Sequence, residues 1–388
     1  MILPPLQLPD ALNYIGVFLT LECNLSCSYC INDPQQTGRR EALFPIQIQS
    51  RRNCLTPAEW TRALNRIPHR QDLPITLQGG EPMLYWKSKG LGMILSETPH
   101  YFDLLTNFAL KPEAFANNLN GQQRKLQRDA PYPSIRVSYH HEEMNRAWHG
   151  KGFAELVNRC EALRDFGFCV SSVKAESDVG IYMVAHPENQ VTSEMEATFA
   201  GRVPFETKEF LGIHEGKLHG HYLYPFSTDL IAAGIYPNTL SCECRTTELL
   251  IDPLGFIWGC HFYLYQSWVA GGPRREFEEL EAQDFRYSEY GEKIFNQGLK
   301  PIGHLLDPGF AMADLEIFRA CHHYGRCIGC DTKIKNDRFQ SYYDQGVAHT
   351  SVKIRNIQMP SSLNDKIENL DQARQFFSHS SVNNHAHE

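Results

Sequence analysis

The residues with the clearest chemistry are Cys23-Asn-Leu-Ser-Cys27-Ser-Tyr-Cys30, three thiols spaced C-x3-C-x2-C. Thiolates are soft ligands, and clusters of them select zinc or iron–sulfur centres. A closed zinc site needs four protein ligands, and no fourth Cys or His lies nearby in sequence. An iron–sulfur cluster held by three cysteines keeps one iron open to a small molecule, which suits reactivity rather than cross-linking. A zinc knuckle and three reduced loop thiols are the plainer alternatives. A second group lies far downstream: Cys242, Cys244, Cys260, Cys321, Cys327 and Cys330, the last two as C-x2-C. On ligand chemistry alone, structural zinc and an iron–sulfur cluster fit it equally well.

Other polar candidates are weaker. Gly79-Gly80-Glu81-Pro82 combines backbone permissiveness with a carboxylate able to accept from an ammonium group. Alone it is an ordinary turn. His214, His219 and His221 fall in a glycine-rich stretch and read as loop residues before they read as metal ligands. His140, His141, Glu142 and Glu143 read as a polar loop. Arg39, Arg40, Arg51 and Arg52 read as a solvated surface loop. Cys54, Cys160 and Cys169 lack partners at metal spacing and are expected to be core thiols.

These residues need a scaffold. Residues 14–21 form an apolar run suited to a strand buried on both faces. The cysteine motif follows it, at the C-terminal end where α/β sheets and barrels place their chemistry. Thr56, Pro57 and Glu59 predict a capped helix, with Trp60, Leu64 and Ile67 on its buried face. Further strands are expected at 72–78, 101–107, 134–139, 168–173 and 179–185, with a helix over 152–167 stopped by Gly167. Alternating strands and helices require a barrel or a doubly wound sheet. Asp252-Pro-Leu-Gly255 between two apolar runs predicts a hairpin that brings Cys244 and Cys260 together. Residues 352–357 alternate like a half-exposed strand, and the polar chain end from Pro360 is expected to be disordered after one helix.

Composition narrows the class. The chain has 388 residues, 42% hydrophobic and 21% charged, as in an ordinary globular protein. A net charge of −8 offers no general attraction to nucleic acid or acidic lipid. No apolar run approaches membrane-span length, and no signal peptide is evident. Twelve cysteines clustered at metal-like spacings argue for reduced thiols and a cytoplasmic setting rather than secreted disulfides.

Cys23, Cys27 and Cys30, with Tyr29 before the third thiol, resemble the cluster motif of the radical S-adenosylmethionine (radical SAM) superfamily. The Gly79–Pro82 segment, about fifty residues further on, is similar to that family's segment binding the SAM amino group. The resemblance implies a [4Fe–4S] cluster that binds SAM and cleaves it reductively to a 5′-deoxyadenosyl radical, which takes a substrate hydrogen. It implies SAM contacts at Tyr29, Gly79, Gly80, Glu81 and Pro82. Thr106 and Asn107 resemble the end of a strand bordering that site, with Phe108 where a glycine is frequent, and Ser138 matches a common hydroxyl position. The implied fold is a partial (β/α)6 TIM-like barrel followed by a small Cys-rich iron–sulfur domain. Cys244, Gly255 and Cys260, spaced C-x10-G-x4-C and followed by a C-x2-C pair, resemble the SPASM/twitch extension. The shorter twitch form implies one auxiliary [4Fe–4S] cluster on Cys244, Cys260, Cys327 and Cys330, with Cys242 and Cys321 in reserve.

The division expected is a core barrel over 1–200, a connector over 201–240, an auxiliary domain over 241–335 and an extension over 336–388. The leading expectation is oxidative modification of a small molecule or natural-product precursor. The second is maturation of a ribosomally made peptide by crosslinking, epimerisation or side-chain oxidation. Only 22 residues precede Cys23, leaving no room for a leader-binding domain there, which favours the first. A non-enzymatic iron–sulfur module ranks third. An electron donor such as flavodoxin or ferredoxin is the expected partner, with no nucleic acid and no membrane. No catalytic acid or base and no cobalamin-binding segment stands out.

Overall fold

A computed structural model describes residues 3–8, 12, 14–27, 30, 54–85, 90–187, 189, 191–210, 212–214, 217–219, 240–246, 248–260, 264, 273–274, 286–287, 301–310, 319–324 and 352–355. Its centre is a mostly parallel sheet. The strands β1 (Tyr14–Thr20), β2 (Ile75–Gly79), β3 (Phe102–Thr106), β4 (Ile135–Tyr139), β5 (Val179–Ala185) and β6 (Phe205–Glu209) lie side by side in chain order. All five pairings among them are parallel, an α/β arrangement consistent with a partial barrel. The crossovers carry α1 (Pro57–Leu64), α2 (Gly90–Glu97), α3 (Pro112–Leu119), α4 (His141–Ala147), α5 (Gly152–Ala162) and α6 (Ser193–Phe199).

Local chemistry explains these elements. The Thr56 hydroxyl accepts from Glu59 N and Glu59 returns a bond to Thr56 N, completing the capping box with Pro57 in the first turn. The α5 helix ends through one further helical turn at Gly167, whose φ of 88° favours a residue without a Cβ. Alternation along the strands divides the core. Ile15, Val17, Leu19, Ile75, Leu77, Phe102, Leu104, Ile135 and Val137 join the helix-facing cluster with Trp60 and Leu156. Tyr14 and Phe18 face the other way, against Leu250, Phe256 and Trp258. On that inner side, Asp103 accepts twice from Arg128 at 2.9 and 2.7 Å and once from Tyr132 at 3.0 Å. Arg136 adds an ion pair at 3.7 Å. These polar groups sit near the strands' N-terminal ends, opposite the end that carries the cysteines.

The second half joins the same sheet. A hairpin, β7 (Gly212–His214) with β8 (Lys217–His219), is followed by β9 (Leu240–Thr246) and β10 (Glu248–Ile251). β10 pairs parallel to β1, then antiparallel to β11 (Phe256–Trp258). β12 (Pro273–Arg274) and β13 (Arg286–Tyr287) pair with each other, and β14 (Gly303–His304) extends the main sheet beside β11. The nine-stranded order is β14-β11-β10-β1-β2-β3-β4-β5-β6. Asp252 forms the predicted turn by accepting from Leu254 N, Phe256 N and Trp258 Nε1 at 2.9–3.0 Å. His304 donates from Nε2 to Leu254 O and accepts from Leu306 N at Nδ1, and burial pushes its pKa down to about 4, so it is a neutral strut. β9 lies in a separate sheet between β15 (Arg319–Tyr324) and β16 (Val352–Arg355).

Four expectations change. Residues 168–173 are not a strand. The Val170 carbonyl is taken by Arg164 and the Cys169 N–H by Asp178, so side chains replace a ladder. Cys169 is accordingly exposed rather than in the core, whereas Cys54 and Cys160 are buried. The sixth strand is instead Phe205–Glu209, inside the expected connector, and a boundary at 200 would cut the parallel sheet. Its sequence hid this: Phe205-Glu-Thr-Lys-Glu has one apolar residue, anchored by ring contacts to Phe153 and Phe199. The hairpin expected within a separate C-terminal unit continues the main sheet from β1.

Candidate active site

The cysteine motif leaves β1 at its C-terminal end. Thr20 begins the turn, its hydroxyl accepting from Glu22 N at 3.1 Å. Cys30 N donates to Cys27 O at 3.1 Å, folding the motif back on itself. Cys27 is buried, and Cys23 and Cys30 are half-buried. The three thiols are close enough to act on one another's charge. Burial, together with Glu81 and Cys30, pushes Cys23 up to about 11. Burial also raises Cys27, with Cys30, Cys23 and Glu143 adding to the effect. A metal bound here would have to displace the protons that burial keeps on these thiols. Among the described residues no three His, Cys, Asp or Glu close on a common point at single-ion distance. The fit of a metal group therefore rests on the donor set and its mutual approach.

The second loop is built into the first. Gly80 N donates to Thr20 O at 2.8 Å, and Glu81 N to Glu22 O at 2.7 Å. Gly79 has φ 144°, and a Cβ there would stand 1.9 Å from Thr20 O. A Cβ on Gly80 would meet Glu22 O at 2.3 Å. The glycines are thus required for contact between the two loops, whereas the sequence suggested close approach to a ligand. Glu81 is 1% exposed. Its Oε1 accepts from Met83 N at 2.9 Å and from the Thr106 hydroxyl at 2.8 Å, and its Oε2 from Asn107 N at 2.7 Å. The carboxylate ties β2 to β3. Pro82 opens a single helical turn beneath it. Thr106 is internal too, since its hydroxyl also accepts from Phe108 N.

Desolvation raises Glu81 to about 7 despite those three bonds, and no basic side chain contributes among the described residues. The sign follows from linkage. The unfolded carboxyl ionises near 4.5, the folded one near 7, so the group's stabilising contribution is full below 4.5 and lost as pH rises through 7. The swing is about 3 kcal/mol. Metal-free protein is expected to lose that much between pH 4.5 and 8 relative to a Glu81→Gln variant, read by urea unfolding at several pH values; parallel profiles would contradict this.

The remaining predicted residues divide clearly. Asn107 reaches the cysteine loop. Its Nδ2 donates to Asn24 Oδ1 at 2.8 Å and lies 3.7 Å from Cys23 Sγ. Phe108 adopts φ 50°, a backbone region that favours glycine. It is held there by burial against Phe115, ring centroids 5.0 Å apart. Ser138 is half-buried on the inner face of β4, opposite Tyr182. Its hydroxyl makes no hydrogen bond among the described residues. Beside Tyr182, Lys208 Nζ lies 5.1 Å from the ring centroid. Tyr29, Cys327, Cys330, His221 and the Arg39–Arg52 loop lie outside the described residues, as does the chain end beyond 355.

The downstream cysteines are only partly brought together. Backbone register sets Cys321 opposite Cys242, and Cys244 opposite Arg319 and Ile354. Cys260 follows β11 in the other sheet and is half-buried. The hairpin therefore pairs 248–251 with 256–258, and the strand bearing Cys244 pairs elsewhere. Sequence reading missed Asn24, Glu143 and Arg146 as neighbours of the cysteines. Glu143 and Arg146 form an ion pair on α4, and both act electrostatically on or with Cys27. Their i, i+3 spacing directly after β4 was the available signal.

No protein-family model matches this chain, and no curated protein matches it. Among the described residues no helix is long and apolar enough to cross a membrane.

Proposed function

We propose that this protein is a radical SAM enzyme. Cys23, Cys27 and Cys30 would hold a [4Fe–4S] cluster with one open iron, and SAM would lie beside it along Tyr29, Gly79–Pro82, Asn107 and Ser138. The bound cluster would supply the electron that splits SAM to the hydrogen-abstracting 5′-deoxyadenosyl group. The observation that carries this reading is the interlocking of two loops: the thiol loop after β1 and the Gly-Gly-Glu loop after β2 are joined by two backbone bonds. They stand at the C-terminal edge of strands in sequential parallel order, where such folds place reactive groups.

Within this reading the chain's own groups have definite work. Glu81, Thr106 and Asn107 fix the two loops against β3. Ser138 offers a hydroxyl on the inner face, and the Lys208–Tyr182 pair borders the same face. The substrate class proposed is a small molecule or natural-product precursor undergoing oxidation. A partial (β/α)6 barrel and an auxiliary cluster on Cys244, Cys260, Cys327 and Cys330 complete the proposal. Cys242 and Cys321, whose backbones are opposite each other in register, stay in reserve as alternative ligands. Iron and acid-labile sulfide per chain after anaerobic reconstitution, with and without Cys27→Ala, test the metal assignment. Two clusters in the wild type and one in the variant are expected; equal iron in both would overturn the assignment at Cys27.

A further inference from the structure

The first cysteine of the motif has a polar neighbour fixed by the rest of the fold. Asn107 is 5% exposed. Its Oδ1 accepts from Ala109 N at 2.9 Å, which leaves Nδ2 to face Asn24 Oδ1 at 2.8 Å and Cys23 Sγ at 3.7 Å. Its backbone N–H is held by Glu81 Oε2 at 2.7 Å. Leu25 N approaches the same sulfur to 3.5 Å. Cys23 thus carries one backbone and one side-chain N–H, and the side-chain donor has its orientation set by three partners.

We infer that Asn107 is a positioning residue that sets the reduction potential of the cluster, an inference resting on the radical SAM reading. A cluster held by Cys23, Cys27 and Cys30 would, on one-electron reduction by a low-potential donor, gain negative charge on its ligand sulfurs with no bond made or broken. An N–H aimed at a ligand sulfur stabilises that added charge and favours the reduced state. Removing the donor moves the midpoint to more negative potential. Replacing it with a carboxylate moves it further, because a like charge then faces the sulfur.

The test is a dithionite titration of the full-length, anaerobically reconstituted protein, followed by electron paramagnetic resonance. Iron and sulfide are measured first. Asn107→Leu removes the donor. Asn107→Asp keeps the size and the acceptor for Ala109 N, and carries the test if the leucine variant fails to load. The expected result is a negative shift of the midpoint in both, larger for aspartate. A loaded aspartate variant with the wild-type midpoint would overturn the inference while leaving the enzyme assignment intact. A wild-type protein that takes up no cluster at the Cys23 motif would overturn both.

Discussion

Gly80→Ala is expected to abolish cluster binding without removing a single ligand. The new Cβ would fall 2.3 Å from Glu22 O and 2.4 Å from Leu21 O, both backbone atoms that cannot rotate aside. Relief requires the cysteine loop to move off β2, breaking Gly80 N to Thr20 O and Glu81 N to Glu22 O. Each bond contributes about 1 kcal/mol net, and overpacking adds about 1–3 kcal/mol. The cost, roughly 3–5 kcal/mol, falls on the loop that presents Cys23, Cys27 and Cys30. Iron at that site should fall at least tenfold while the far-ultraviolet circular dichroism is kept. Wild-type iron uptake by Gly80→Ala would show that the two loops are independent.

The second large effect is expected far from the thiols. Arg66 is 2% exposed and binds four backbone carbonyls. Its Nε takes Pro4 O at 2.9 Å, Nη1 takes Leu305 O and Asp307 O at 2.6 and 2.5 Å, and Nη2 takes Phe310 O at 3.3 Å. One guanidinium therefore joins the N-terminal segment, α1 and the segment after β14. Its planar fork of five donors permits this, and an ammonium on a longer stem does not. Arg66→Met removes four hydrogen bonds, two of them buried, at about 1 kcal/mol each, a total loss of roughly 4 kcal/mol. Arg66→Lys should recover less than half of it. Urea unfolding followed by tryptophan fluorescence measures both. A loss under about 1 kcal/mol for the methionine variant would mean that water satisfies those carbonyls.

Much of the fold was legible because strong local signals agreed with the final packing. The β1 run, the Thr56–Glu59 box, the Gly167 stop and the Asp252–Gly255 turn each depend on residues within a few positions. What sequence could not convey is non-local. Phe205–Glu209 becomes a strand because Phe153 of α5 and Phe199 of α6 meet Phe205. Residues 168–170 look strand-like and fail because Arg164 and Asp178 claim their backbone. Within the site, the cysteine spacing and the Gly-Gly-Glu segment singled out two loops that the fold joins by backbone bonds. The role of Glu81 as an internal tie, and of Asn107 as a neighbour of Cys23, depends on β3 lying beside β2.

The parallel order β1 to β6 also explains why these particular segments meet. Each strand's C-terminal end delivers one loop to the same edge, so Cys23, Glu81 and Asn107 become neighbours across three strands. Near the strands' other end, Asp103 gathers Arg128, Arg136 and Tyr132 into one polar cluster.

The central claim is tested most directly by SAM cleavage. Anaerobically reconstituted protein, reduced with dithionite and given SAM, should release 5′-deoxyadenosine and methionine, and the Cys27→Ala protein should release neither. A wild-type protein that carries a full cluster on Cys23, Cys27 and Cys30 and leaves SAM intact, even when offered metabolite and peptide pools, would contradict the account.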